Sequence, residues 1–133
     1  RRMARPGREI TMRHCLIVDD SRVMRRVARR VLERLDFEID EAEDGQTALE
    51  ACRRTMPDAV LLDWNMPNAM SAEFVRALRR EPGGDKPFIV FCAIENDVAQ
   101  ITEAIGAGAD EYVMKPFDKD LIEAKFAETG LLG

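Results

Sequence analysis

Four charged residues stand at the ends of short apolar runs: Asp19 and Asp20 after "CLIV", Asp63 closing "AVLLD", and Lys115 after "EYVM". A buried strand has no use for charge along its length, so its closing residue is the first that can meet solvent or an ion. Gathered carboxylates repel one another unless a cation neutralises them. Hard oxygen donors favour Mg²⁺, which keeps several waters and takes one or two protein carboxylates together with a phosphate. A nearby ammonium would complete a phosphoryl site. These residue types therefore suggest phosphate handling with Mg²⁺, provided that the fold brings residues 19, 20, 63 and 115 to one edge.

The elements that must do so can be read along the chain. "CLIVD" (15–19), "FEIDEA" (37–42), "AVLLD" (59–63), "FIVFC" (88–92) and "EYVM" (111–114) read as strands from their length and their branched or aromatic content. Between them, apolar residues recur every three or four positions: Val23, Val27 and Val31; Ala48, Leu49 and Cys52; Phe74, Val75 and Leu78; Val98, Ile101 and Ile105; then Ile122 and Phe126. Ser21, Asp44 and Asp118 are placed to cap the first, second and last helices. "EPGGDKP" (81–87) is the clearest loop. Strict alternation of five strands and five helices predicts an α/β fold, a parallel sheet covered on both faces and joined by right-handed crossovers. Ligand sites in such sheets form outside the carboxyl ends of the strands, where all four charged residues fall.

A length of 133 residues with 46% hydrophobic composition suits one domain with one core. The net charge of −5 argues against a general nucleic-acid binder. Residues 1–11, "RRMARPGREIT", carry +3, which leaves −8 on the rest. This segment lacks a core-forming pattern and Met12 would serve as an initiator, so it reads as a disordered leader or cloning remnant, with the folded domain spanning 12–133. Cys15, Cys52 and Cys92 are odd in number and widely spaced, which fits neither a disulfide framework nor a zinc site and points to a reducing cytoplasm. No apolar stretch approaches the length of a membrane span or a signal peptide.

"LIVDDS", "LLDWNMP" and "YVMKPF", in this order and at these separations, resemble the receiver domain of two-component response regulators. "DWNMP" with "MKPFDKD" is similar to the single-domain chemotaxis receivers, and the resemblance covers residues 12 to about 130. It implies a doubly wound, flavodoxin-like sheet of strand order 2-1-3-4-5. Asp63 would be the phosphoacceptor, attacking the phosphohistidine of a histidine kinase or histidine phosphotransferase. Asp20 and Asp63 would ligate Mg²⁺ directly, the Asn65 carbonyl would add a ligand, and Asp19 would act through water. Lys115 would pair with phosphoryl oxygens, and Pro116 would follow a cis peptide. Tyr112 reads either as a half-buried strand aromatic or as the family's rotating switch aromatic. Trp64 and Met66 read as a lid or partial packing, and His14, ahead of the first strand, as a surface residue.

Departures from the family pattern bear on the output. Where relatives carry a Ser or Thr at the end of the fourth strand, this chain has Cys92, counting from Pro87, or Ala93, counting back from Gly108 and Lys115. Neither supplies a hydroxyl, so the hydrogen bond that couples phosphate to conformation is expected to be weakened or absent. Ile94 replaces a polar residue beside the acceptor, and Ser71 or Ala72 stands where a Gly is expected. Arg22, Arg25, Arg26, Arg29, Arg30 and Arg34 make the first helix basic, either as a solvated face with salt bridges or as a dock for an anionic ligand or acidic partner. The expected function is a stand-alone receiver, not an enzyme on external substrates, which signals by protein binding through its fourth helix, fifth strand and fifth helix, without DNA binding or membrane insertion. The alternative is a receiver-fold binding module or phosphate sink whose docking ignores phosphorylation. An aspartyl-phosphate phosphatase is disfavoured, because those enzymes resemble a second Asp two residues after the nucleophile and this chain has Asn65.

Overall fold

Every apolar run becomes a strand, and the first four periodic segments become helices, in the order β1 (Arg13–Val18), α1 (Arg22–Glu33), β2 (Phe37–Ala42), α2 (Gly45–Arg54), β3 (Ala59–Asp63), α3 (Met70–Arg80), β4 (Phe88–Ala93), α4 (Val98–Ala107) and β5 (Glu111–Met114). The computed structural model describes residues 13–66, 70–93, 98–114, 120 and 123–125, the last four of which are helical. Asp118, Ile122 and Phe126 lie outside the described residues, so the expected cap and apolar stripe of the fifth helix do too. The five strands form one parallel sheet of order β2-β1-β3-β4-β5. Consecutive strands step outward from β1 to β2, then the chain returns to β3 on the other side. That reversal makes the carboxyl ends of β1 and β3 the topological switch point.

The two-residue period of the strands divides the core. Leu16, Val18, Val60, Leu62, Ile89 and Phe91 face one way, against Ala48 and Cys52 of α2 and Phe74, Val75 and Leu78 of α3. Cys15, Ile17, Ala59, Leu61, Val90 and Val113 face the other, against Ala28 and Leu32 of α1. Central β3 is buried at all five positions, as a strand covered on both faces must be. Ser21 caps α1 by accepting from the Met24 N–H at 3.2 Å, and Asp44 caps α2 by accepting from the Thr47 N–H at 2.7 Å. The three cysteines are buried and not joined in disulfides, and burial pushes the Cys52 thiol up to about 12 and raises that of Cys15, so both are inert packing groups.

Several expectations need correction. β1 starts at Arg13, which pairs with Phe37 of β2, and ends at Val18, so Asp19 lies just beyond the strand. His14 is therefore a strand residue. It is half-buried, its Nε2 is 2.7 Å from Asp40 Oδ2, and its backbone N–H donates to Asp58 Oδ2. β4 runs one residue further than read, to Ala93. On α1 the first two valines of the stripe face outward, with Val23 71% and Val27 41% exposed, while Val31 packs partly buried against the core beside the buried Ala28 and Leu32. The helix is turned by its arginines: Arg25 and Arg29 reach Glu41 on β2, and small Ala28 lets the helix lie close to the sheet.

Candidate functional site

The ends of β1 and β3 are flush because Val18 pairs with Leu62, so Asp19 and Asp63 emerge as neighbours and Asp20 follows at the rim. Oxygens of the three carboxylates lie within 4.8 Å of one another. Asp19 and Asp63 are buried and Asp20 is exposed. Short local turns hold the two buried carboxylates: Asp19 Oδ1 accepts from the Ser21 N–H at 2.9 Å, and Asp63 Oδ1 accepts from the Asn65 N–H at 3.0 Å. The Asp19 N–H donates to the Ala42 carbonyl, and its own carbonyl accepts from Arg25 Nη1 at 2.7 Å. The positive amino end of α1 and the Arg25 charge thus lie beside the acids and partly offset their repulsion.

This donor set fits a small hard cation. Octahedral Mg²⁺ at about 2.0–2.1 Å from its ligands separates them by roughly 3–4 Å, a small contraction from the observed cluster. Buried carboxylates such as Asp19 and Asp63 are costly to keep charged unless compensated, and a divalent ion would provide that compensation. Asn65 lies exposed in the turn directly after β3, so its backbone is within the same loop as the cluster. Lys115, Pro116 and Ile94 lie outside the described residues.

Strand pairing sets which way the last two residues of β4 face. Asp63 pairs with Cys92, and the Trp64 N–H donates to the Cys92 carbonyl at 2.9 Å. In a parallel ladder, paired residues project to the same face, so Cys92 shares the face of Asp63 and Ala93 the opposite one. Both are buried. Trp64 and Met66 are buried core residues, and the Trp64 ring lies 5.3 Å from that of Phe91. Phe91 in turn lies 5.8 Å from the half-buried Tyr112, over whose ring Lys125 Nζ sits at 5.6 Å.

One contact at the site was not anticipated from the sequence. The hydroxyl of Ser71, noted only with Ala72 as a candidate for the place of an expected glycine, donates to the Asp63 carbonyl. Arg25 and Arg29 of the basic helix form salt bridges, as one of the two sequence readings expected, and turn onto Glu41 with Nε to carboxylate distances of 3.0 and 2.6 Å. The exposed side of α1 is built from Arg22, Arg26 and Arg30. Burial alone would raise the Glu41 pKa, but hydrogen bonds from Arg29 and Arg25 outweigh it and hold the carboxyl below its ordinary range. A depressed pKa stabilises the fold above the unfolded value, near 4.3, and that stabilisation disappears as pH falls through the folded value. The difference in thermal midpoint between wild type and Glu41→Gln should therefore be constant above about pH 5 and shrink in acid below about pH 4. A difference that does not change with pH would show that these bonds do not need the charge.

Residues 15–127 match the response regulator receiver domain family. Response regulator MprA of Mycolicibacterium vanbaalenii is 39% identical over 102 residues, covering 77% of this chain and 43% of that protein. The chain spans less than half the length of the curated relatives it matches. Among solved structures, chemotaxis protein CheY4 of Vibrio cholerae superposes with a TM-score of 0.84 at 27% identity, covering 89% of this chain and 98% of that one. The signal receiver domain of a response regulator from Bermanella marisrubri gives 0.78 at 28% identity, with the same two coverages.

Proposed function

Because the chain belongs to the response regulator receiver domain family, a module of two-component signalling, we propose that it accepts a phosphoryl group on Asp63 from a histidine kinase or histidine phosphotransferase, with Mg²⁺ held by Asp19, Asp20, Asp63 and Asn65. The observation that carries this reading is the meeting of three carboxylates within 4.8 Å at the carboxyl ends of β1 and β3. An Asp63 carboxylate oxygen attacks phosphorus. The new O–P bond forms as the N–P bond of phosphohistidine breaks, and the leaving imidazole keeps that electron pair and takes up a proton from solvent. Phosphoryl transfer is mostly positioning and charge neutralisation. The Asn65 N–H fixes the plane of the Asp63 carboxylate, and the Ser21 N–H does the same for Asp19. Buried Trp64 and Met66 keep water from the flank of the loop. Bound Mg²⁺ would supply positive charge against the phosphoryl oxygens, and Lys115 would add an ammonium. In this reading the chain acts only on its own phosphorylation and resides in the cytoplasm, without binding DNA.

Output is proposed to run through α4, β5 and the helix that follows, where Val98 is 76% and Ile105 46% exposed. On α1, Arg22, Arg26 and Arg30 flank exposed Val23 and Val27, which suits an acidic partner or anionic ligand. A second reading rests on Cys92 and Ala93, neither of which supplies the hydroxyl that would normally engage the phosphoryl group. The domain would then dock independently of phosphate or drain it from a kinase. Partner affinity measured with and without beryllofluoride separates the two, since only a switching receiver responds. Intact-mass measurement with acetyl phosphate tests the primary reading: one phosphoryl adduct with Mg²⁺ and none with chelator is expected. No adduct in either condition would overturn it.

A further inference from the structure

Ser71 lies in the first turn of α3, is 1% exposed, and donates its hydroxyl proton to the backbone carbonyl of Asp63. A serine at the start of a helix ordinarily serves the helix's own backbone. Here the hydroxyl reaches across the loop to the strand it came from. β1 and β3 stop pairing at Val18 and Leu62, one residue before Asp63, whereas the β4 side continues through Asp63–Cys92 and the bond from the Trp64 N–H to the Cys92 carbonyl. The Asp63 peptide is thus held by β4 on one side and by α3 through Ser71. Two acceptors of Asp63, its carbonyl and Oδ1, take bonds from Ser71 of α3 and from Asn65 of the turn after β3.

We propose that Ser71 is a positioning residue for the phosphoacceptor: its bond to the Asp63 carbonyl fixes the turn that presents the Asp63 carboxylate and the Asn65 backbone together. This rests on Asp63 being the phosphoacceptor. The reactive oxygen and the turn beside it are preset by a side chain that never touches the phosphoryl group. Displacements of an ångström in such an arrangement cost up to about a hundredfold in rate, so loss of this one restraint among several should cost about tenfold.

Ser71→Ala and Ser71→Thr test the role with three readouts: amide hydrogen exchange at Asn65 in metal-free protein, Mg²⁺ affinity from Trp64 fluorescence, and the rate of phosphorylation by acetyl phosphate at saturating Mg²⁺. The Ala variant should exchange the Asn65 amide about tenfold faster, bind Mg²⁺ more weakly and phosphorylate about tenfold more slowly, with amides of β2 unchanged. The Thr variant should restore all three. An Ala variant within twofold of wild type at Asn65 and in both constants overturns the proposal, whatever its thermal midpoint. So does a Thr variant with the wild-type midpoint that keeps the defects of Ala. Should the Ala variant not fold, Ser71→Cys, of similar volume and weak donor strength, takes its place under the same criteria. A wild-type chain that neither binds Mg²⁺ nor takes up phosphate overturns the phosphoacceptor reading itself, and this role with it.

Discussion

Asp63→Asn should abolish phosphoryl uptake while raising the thermal midpoint in Mg²⁺-free buffer. The amide is nearly isosteric, and its Oδ1 can still accept the Asn65 N–H that now bonds the carboxylate. What is lost is the nucleophile, so intact-mass adducts from acetyl phosphate should fall by about a thousandfold or more. What is gained is relief of repulsion. With carboxylate oxygens within 4.8 Å, each like-charge pair costs about 3.5 kcal/mol at an effective dielectric of 20. Nearby positive charge, including Arg25 at the Asp19 carbonyl, already offsets much of this, so a net gain of about 1 kcal/mol is expected. Mg²⁺ stabilises whichever state holds it, so adding the ion should raise the wild-type midpoint more than that of the variant. An adduct on Asp63→Asn, or an equal response of both proteins to Mg²⁺, would contradict the site.

The acidic cluster was legible because charge at the end of an apolar run has few other uses, and Asp19, Asp20 and Asp63 each sit at such an end. The alternation of elements was legible for the same physical reason, that periods of two and of three to four are imposed by burial. Strand order came from the family resemblance, since periodicity says nothing about which strands pair. Cys92 and Ala93 show the limit of counting: two reference points differ by one residue, and only the pairing of Asp63 with Cys92 settles which residue shares its face. Val23 and Val27 show another. Their spacing marks a helix, but the buried stripe was set by Arg25 and Arg29 reaching Glu41, sixteen and twelve residues away. Ser71 was visible only as a non-glycine residue, because a hydroxyl bonded back to a strand leaves no pattern in a chain.

Arg79→Ala should be the most destabilising single truncation of a polar side chain outside the acidic site. The guanidinium of Arg79 uses all five of its N–H donors: Nε and Nη2 to the Gly108 carbonyl at 2.9 and 2.7 Å, Nη1 to the Gly84 and Pro87 carbonyls at 3.0 and 2.8 Å, and Nη2 also to Asp110 Oδ2 at 2.9 Å. One side chain thus ties α3 to the loop before β4 and the turn before β5. Both segments are shaped to receive it. Gly108 has φ +123°, and a Cβ there would press on Arg79 Cγ, while a Cβ at Gly84 would overlap the Leu78 carbonyl. Asp110 Oδ2 also accepts the Ile89 N–H at 2.8 Å, which joins the same knot to β4. Charge-assisted bonds to half-buried carbonyls, left without their donor, should cost about 3–4 kcal/mol, or roughly 10–15 °C of thermal midpoint. Lysine keeps the charge opposite Asp110 but has no planar fork, so Arg79→Lys should recover less than half of the loss. Full recovery by lysine would mean that the ion pair, and not the fork, holds the turn. Because these contacts lie at the amino ends of β4 and β5, and the carboxylates at the carboxyl ends of β1 and β3, the Mg²⁺-induced rise in midpoint should survive in Arg79→Ala. That persistence separates the support of the sheet from the chemistry at its edge.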